Sequence, residues 1–202
     1  MKTPDFFTDV PSITVRDPLA ELLGAAQNGL LTYTYEEVVK LAGHSCPTVA
    51  GAYLMVQKGL KALYGDEIPQ RGAINVYLKG KLGEGVVGVI ANVASMITGA
   101  TDNSGFHGLG GTFDRRNLLN YEAPIEGEMA LERIDTQSRV TLTYDPSIVP
   151  SNPRMGEILP LVLSGRADER TKNLFAQLWQ ERVQRILIDF AEDKRVVQCL
   201  GL

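Results

Sequence analysis

The chain contains only two histidines and two cysteines, and one of each lies within a three-residue stretch. These two, His44 and Cys46, belong to the segment Gly-His-Ser-Cys-Pro, just where the pattern predicts the start of a helix. Imidazole and thiolate groups bind borderline and soft metals, and they also carry out nucleophilic chemistry. In an extended segment, side chains two positions apart point the same way, so both groups can reach one atom. The sequence therefore predicts a functional site here.

The position of Cys46 at the start of a helix strengthens this prediction. Free N–H groups and the helix dipole favour an anion at a helix N-terminus, and so favour the thiolate that both metal binding and nucleophilic attack require. The spacing does not distinguish a metal ligand from a cysteine nucleophile. The alternative is that Cys46 packs as a small hydrophobic residue and His44 is a hydrogen-bonded loop residue. The pairing of two scarce residue types favours the site.

The second histidine, His107, lies in a glycine-rich segment over residues 99–112. Glycines let backbone amides approach a ligand closely, although the spacing matches neither a dinucleotide-binding nor a phosphate-loop motif. Because the chain has no further imidazole, His107 is the candidate third metal ligand. In a metal-free mechanism, His107 or His44 would be the base that activates Cys46 as the nucleophile.

Two arginines follow this loop and are candidates for binding a cofactor. Arg115 and Arg116 can hold a carboxylate or a phosphate through their guanidinium groups. The open alternatives are that they are solvated, or that they form ion pairs with Asp114 or Glu122.

The hydrophobic pattern places these residues on helices first, then strands, then a final helix. It predicts a first helix from residue 18 that Gly29 ends, a short helix with a capping box at 34–37 that Gly43 ends, and a helix over 47–64. It predicts strands over 73–78 and 85–91, a short helix through 93–97, a hairpin over 128–134 and 138–144, and a helix over 168–191.

This order is not a regular alternation of strands and helices, so it predicts an α+β fold. We expect helices packed on a mostly antiparallel sheet, with a long C-terminal helix. Residues 1–150 are predicted to form the core domain that carries the His/Cys site. Residues 151–202 are predicted to form a helical extension, packed on the core or on a dimer partner.

Composition narrows the class of protein. With 202 residues, 44% of them hydrophobic, the chain can bury a sizeable core. Its net charge of −4 argues against a general attraction to nucleic acid or an anionic membrane. It has no apolar run of spanning length and no signal-peptide pattern at its start. Two distant cysteines do not suggest a disulfide framework, so we expect a cytoplasmic protein.

Two motifs resemble those of a known family, that of the E-type subunit of formylmethanofuran dehydrogenase. The segment Gly-His-Ser-Cys-Pro-Thr-Val-Ala-Gly at 43–51 resembles the Gly-His-x-Cys-Pro start of this family, and Thr-Gly-Ala-Thr at 98–101 is similar to its Thr-Gly-Cys-Thr. The resemblance spans roughly residues 35–145. It implies an α+β core, a homodimer, and a metal, often zinc, near His44 and Cys46. It also implies a larger molybdenum- or tungsten-dependent redox enzyme of one-carbon metabolism as a partner.

The chain departs from the family pattern at three positions and at its end. The family's Cys-x-x-Asp is replaced by Val89 and Asn92, and the cysteine of Thr-Gly-Cys-Thr is replaced by Ala100. A predicted helix stands where some members carry a C-terminal zinc finger. We hypothesise that His107 supplies the ligand that these changes remove.

Three functions follow from this pattern. The first is a small metal-binding protein whose ligands are His44, Cys46 and His107, with zinc or another divalent transition metal, acting in one-carbon or related metabolism. The second is a metal-free hydrolase or transferase in which Cys46 is the nucleophile and loop amides stabilise the oxyanion. The third is a non-enzymatic accessory protein that docks on a molybdenum or tungsten redox enzyme.

Overall fold

The computed structural model describes residues 3–201. The helices are α1 (Pro18–Leu22), α2 (Tyr35–Ala42), α3 (Pro47–Tyr64), α4 (Val87–Thr98), α5 (Arg154–Leu163) and α6 (Glu169–Gln184). The strands are β1 (Ile13–Arg16), β2 (Leu30–Tyr33), β3 (Ile74–Leu78), β4 (Leu119–Asn120), β5 (Met129–Arg133), β6 (Arg139–Tyr144) and β7 (Val197–Leu200). Short 3-10 turns connect several of these elements.

Helix α3 is the central element of the core. Pro47 occupies its first position, where the missing N–H costs nothing, and Gly65 caps its C-terminus, so the bounds are those predicted. Its predicted apolar face is buried, with Val49, Tyr53 and Val56 fully inaccessible to solvent. The helix packs on α4 and on β5, β6 and β7 of the sheet. It therefore connects the His/Cys segment at its start to the sheet along its length.

The main sheet has five strands in the order β4-β3-β5-β6-β7. The β3–β4 pair is parallel and the other three pairs are antiparallel, and β1 and β2 form a separate antiparallel pair. The predicted hairpin is β5–β6, in which Met129 pairs with Leu142 and Leu131 with Val140. These four side chains are buried because alternate residues of a strand face the core. The predicted α+β class, with a mostly antiparallel sheet and a long last helix, is confirmed.

The predicted strand over 85–91 is wrong, because the chain is helical from Val87. The run of β-branched residues in this stretch resembles a strand, but its buried residues continue into α4 at helical spacing, at Ile90, Val93, Ala94 and Ile97. Packing of this face on α2 and α3 outweighs the local preference for strand. The predicted strand and the short helix after it are thus a single helix.

Two further elements differ from the prediction. The first helix ends at Leu22, because the chain turns at Gly24 with a left-handed φ of 68°. The final helix α6 continues into one π-helical turn, Arg185–Asp189, and the chain then adds β7 to the edge of the sheet. A strand of four residues is too short for its periodicity to be recognised in sequence. The segment after residue 150 therefore contributes a strand to the core as well as helices.

None of the helices within residues 3–201 has both the length and the apolar character needed to cross a lipid bilayer.

Candidate functional site

The His/Cys segment joins the C-terminus of α2 to the N-terminus of α3. Gly43 ends α2 with a left-handed φ of 75°, and Cys46 is the N-cap of α3, with an extended backbone. The Val49 N–H donates to Cys46 Sγ at 3.5 Å. The cysteine side chain thus takes the place that a serine or aspartate oxygen takes in other N-caps. The predicted position of Cys46 at a helix start is confirmed.

The His44 side chain is exposed to solvent and held by its own backbone. Its Nδ1 lies 2.9 Å from the Ala42 carbonyl oxygen. A carbonyl oxygen only accepts hydrogen bonds, so this contact assigns the proton to Nδ1 and leaves the lone pair on Nε2. His44 therefore presents an unprotonated ring nitrogen that can bind a metal or accept a proton.

Ser45, between the two candidate residues, is held from both sides. Its hydroxyl shares a hydrogen bond of 3.0 Å with the Tyr35 hydroxyl. Its carbonyl oxygen accepts from Trp179 Nε1 at 2.9 Å and from Gln180 Nε2 at 3.1 Å. Helix α6 thereby fixes the backbone of the site. Sequence reasoning missed this role, and the available signal was that Trp179 is the only tryptophan in the chain.

Two buried tyrosines lie near Cys46. Burial raises the pKa of Tyr35 well above its ordinary value, against the lowering effect of the hydrogen bond with Ser45, and the charge of Cys46 raises it further. Burial also raises the pKa of Tyr144, whose hydroxyl donates to the Pro47 carbonyl at 2.7 Å. Both phenols are therefore neutral at physiological pH. They rigidify the start of α3 without adding charge beside the cysteine.

A cavity of about 240 Å³ lies beside the start of α3. Pro47, the residue after Cys46, forms one side, and residues of the α5–α6 hairpin, among them Leu159, Leu178 and Trp179, form the other. The guanidinium of Arg182, which also lines it, is held by the Val149 and Pro146 carbonyls at 2.7 and 2.8 Å. The cavity is close to the lower end of the range for small-molecule sites, and it is mostly apolar.

The predicted third ligand does not join the pair. Among residues 3–201, no three side chains of the types His, Cys, Asp and Glu come together in a group that could hold a metal ion. His107 is exposed in the glycine-rich loop, where its charge acts on Asp114. The structure thus places His44 and Cys46 on one short segment and does not gather His107 with them.

The two predicted cofactor-binding arginines are engaged in ion pairs. Arg115 is buried and donates from Nη2 to Asp17 Oδ1 at 2.6 Å. Arg116 donates to both carboxylate oxygens of Asp114, at 3.0 and 2.6 Å, as the alternative interpretation expected. Asp17 also accepts from Arg71 at 2.8 Å. Cofactor binding by Arg115 and Arg116 stays a prediction.

The positions at which the chain departs from the family pattern are filled without ligands. Val89 and Asn92 lie on α4, where Asn92 is exposed. Ala100, which follows the αL cap of α4 at Gly99, is completely buried. An apolar methyl group therefore occupies the place of the family's second cysteine.

No protein-family model matches the chain, and comparison with curated proteins finds no match.

Proposed function

We propose that this protein binds a divalent transition metal, zinc or a similar ion, through His44 and Cys46 and acts in one-carbon or related metabolism. The observation that carries the proposal is the contact between His44 Nδ1 and the Ala42 carbonyl, which leaves Nε2 free two residues from a cysteine. Metal-binding histidines almost always donate their other ring N–H to a carbonyl or carboxylate in this way. The resemblance to the E-type formylmethanofuran dehydrogenase family supports the same two ligands.

The donor set fits an open metal centre. An imidazole and a thiolate suit zinc and other borderline metals, and two protein ligands would leave the remaining positions to water or a substrate. A metal held there would supply Lewis-acid chemistry: it would polarise a carbonyl or lower the pKa of a bound water. The protein's own contribution is to hold the segment rigid through Ser45, Trp179 and Tyr35.

Cobalt(II) titration of the metal-free protein tests this proposal. We expect a thiolate-to-cobalt charge-transfer band that is lost in Cys46→Ser and weakened about tenfold or more in affinity in His44→Ala. Cys199→Ser is the matched control, because it removes the other free cysteine and leaves the band unchanged. Absence of a thiolate band, or a band that survives Cys46→Ser, would reject the proposal.

The same titration decides the role of His107. Because the structure does not gather His107 with the pair, we expect His107→Ala to leave stoichiometry and affinity unchanged. A clear loss of affinity in this variant would instead support the three-ligand centre.

A second candidate is a cysteine nucleophile that needs no metal. The observation favouring it is the Val49 N–H that donates to Cys46 Sγ, because such a contact stabilises a thiolate. Alkylation with iodoacetamide, read by mass spectrometry at each cysteine, tests it against Cys199, whose pKa is raised by burial. A nucleophile predicts that Cys46 reacts much faster than Cys199 and that chelator does not change its rate. Equal rates, or protection of Cys46 by added zinc alone, would favour the metal.

A further inference from the structure

The largest cleft in the described part of the chain lies far along α3 from the His/Cys segment, next to the edge strand β7. It has a volume of about 690 Å³ and is lined on one side by α3 and on the other by β7 and the residues before it. We call it the α3–β7 cleft. Its charged side chains are Lys58, Lys61, Glu192 and Lys194, and its floor includes Val197 and Cys199.

The backbone of β7 presents unpaired groups to this cleft. The Leu142 carbonyl accepts from Glu128 N, so the backbone groups of Leu142 face β5. Those of its neighbours Thr141 and Thr143 therefore face β7, because successive residues of a strand point to opposite sides. Their register partners are Leu200 and Gln198, which leaves the N–H and C=O of Cys199 on the outer edge.

No strand within residues 3–201 pairs with that outer edge. The Val197 N–H, at the start of the edge, makes a long bond of 3.4 Å to the Asp193 carbonyl, so Cys199 is the first residue with both groups available. The strand Val-Gln-Cys-Leu carries no charged side chain that would keep another strand away. The edge is thus open to strand addition.

The charges across the cleft favour an acidic occupant. Three ammonium groups and one carboxylate line it, so the cleft has a net charge of +2 in a chain whose net charge is −4. Lys58 bonds to Glu192 at 2.9 Å, but that glutamate is 93% exposed and so can be displaced by an incoming carboxylate. Lys61 likewise bonds at 2.7 Å to Asp66, whose side chain is fully exposed. Lys194 makes no ion pair with any residue of the described chain.

We propose that the α3–β7 cleft binds an extended, acidic segment of a partner protein, which adds to the outer edge of β7 as a sixth strand. Its backbone pairs with the N–H and C=O of Cys199, and alternate side chains carry carboxylates to the lysines. A second copy of this chain is a poorer occupant, because twofold pairing of β7 with β7 would bring two positively charged clefts together. This inference is independent of the proposed metal site.

A synthetic peptide of alternating valine and glutamate tests the proposal by fluorescence anisotropy. We expect binding that weakens as salt is raised to about 0.15 M and above, and that is lost when lysine replaces glutamate. A peptide with the same charges but N-methylated backbone nitrogens should also fail to bind. Equal binding of the N-methylated peptide would show attraction by charge alone and overturn strand addition.

Cys199→Pro and Cys199→Ala form the matched pair of variants. Proline removes the outward N–H without disturbing the bonds to β6, and edge strands tolerate it there. We expect Cys199→Pro to raise the Kd about fivefold or more and Cys199→Ala to leave it unchanged. If Cys199→Pro fails to fold, the surface variants Lys61→Gln and Lys194→Gln should each weaken binding several-fold. Unchanged affinity in the lysine variants would reject the proposed charge contacts.

Bound peptide should also protect the Cys199 thiol from alkylation while leaving the rate at Cys46 unchanged. Analytical ultracentrifugation of the unliganded protein addresses the other occupant. A dimer that Cys199→Pro dissociates would assign the edge to a second copy and overturn the proposal.

Discussion

Asp17 is the single carboxylate that neutralises two buried arginines. Its Oδ1 accepts from Arg115 Nη2 at 2.6 Å and from the N–H groups of Leu19 and Ala20, and its Oδ2 accepts from Arg71 Nη1 at 2.8 Å. Asp17 is 3% exposed and Arg115 5% exposed. The substitution Asp17→Asn keeps the shape of the side chain and removes its charge.

We expect Asp17→Asn to lower the free energy of unfolding by about 3–5 kcal/mol, because it leaves guanidinium groups buried without a counter-ion. Arg115 is the more costly of the two, since its Nε and Nη1 are buried and have no hydrogen-bond partner in the described structure. A loss of this size is a large fraction of the roughly 5–15 kcal/mol by which domains are stable.

Urea unfolding at neutral pH measures this loss. The fluorescence of Trp179, the only tryptophan, reports on the packing of α6, and far-UV circular dichroism reports on the whole fold. Asp114→Asn is the matched control: it also removes an arginine's carboxylate partner, but at an exposed position, so we expect no measurable change. If Asp17→Asn is no more destabilising than Asp114→Asn, the cluster is not buried in the way described and the reasoning is wrong.

Two further predictions concern acid stability and the packing of α3. Burial raises the pKa of Asp17, but the hydrogen bond from Arg71, the charge of Arg115 and the Ala20 N–H outweigh it, so the pKa lies below its ordinary value of 3.8. The stability that this carboxylate contributes is present above that value and is lost as the pH falls through the lower, folded-state pKa. Wild-type protein should therefore lose more stability on acidification than Asp17→Asn, and parallel pH profiles of the two would contradict this. At Gly51, an added Cβ would fall 2.3 Å from the Tyr144 ring, so we expect Gly51→Ala to cost about 1–3 kcal/mol in thermal or urea unfolding, whereas Gly156→Ala, where nothing lies within 4 Å, should be neutral or stabilising. A neutral Gly51→Ala would show that Tyr144 is free to move.

Sequence reasoning was most successful where the interactions span three or four residues. The capping box of Thr34 and Glu37 forms as predicted, with Thr34 Oγ1 accepting from Glu37 N and the glutamate accepting from Thr34 N. Cys46 caps α3 through Val49, three residues on. Sequence also indicated that Gly51 permits a close approach, although it did not identify the Tyr144 ring as the group that approaches. Such local geometry depends on backbone preferences that each short segment carries within itself.

Tertiary structure alone settled which distant groups meet. Asp17 pairs with Arg115 across 98 positions, and Trp179 reaches the Ser45 carbonyl across 134. The composition of the glycine-rich loop left open whether His107 reaches the His/Cys segment, and the fold does not bring it into a metal-holding group with that segment. Nothing local distinguishes one partner from another at such separations. The choice follows from how the helices and the sheet bury their apolar faces together, and polar groups then pair with whatever that packing brings within reach.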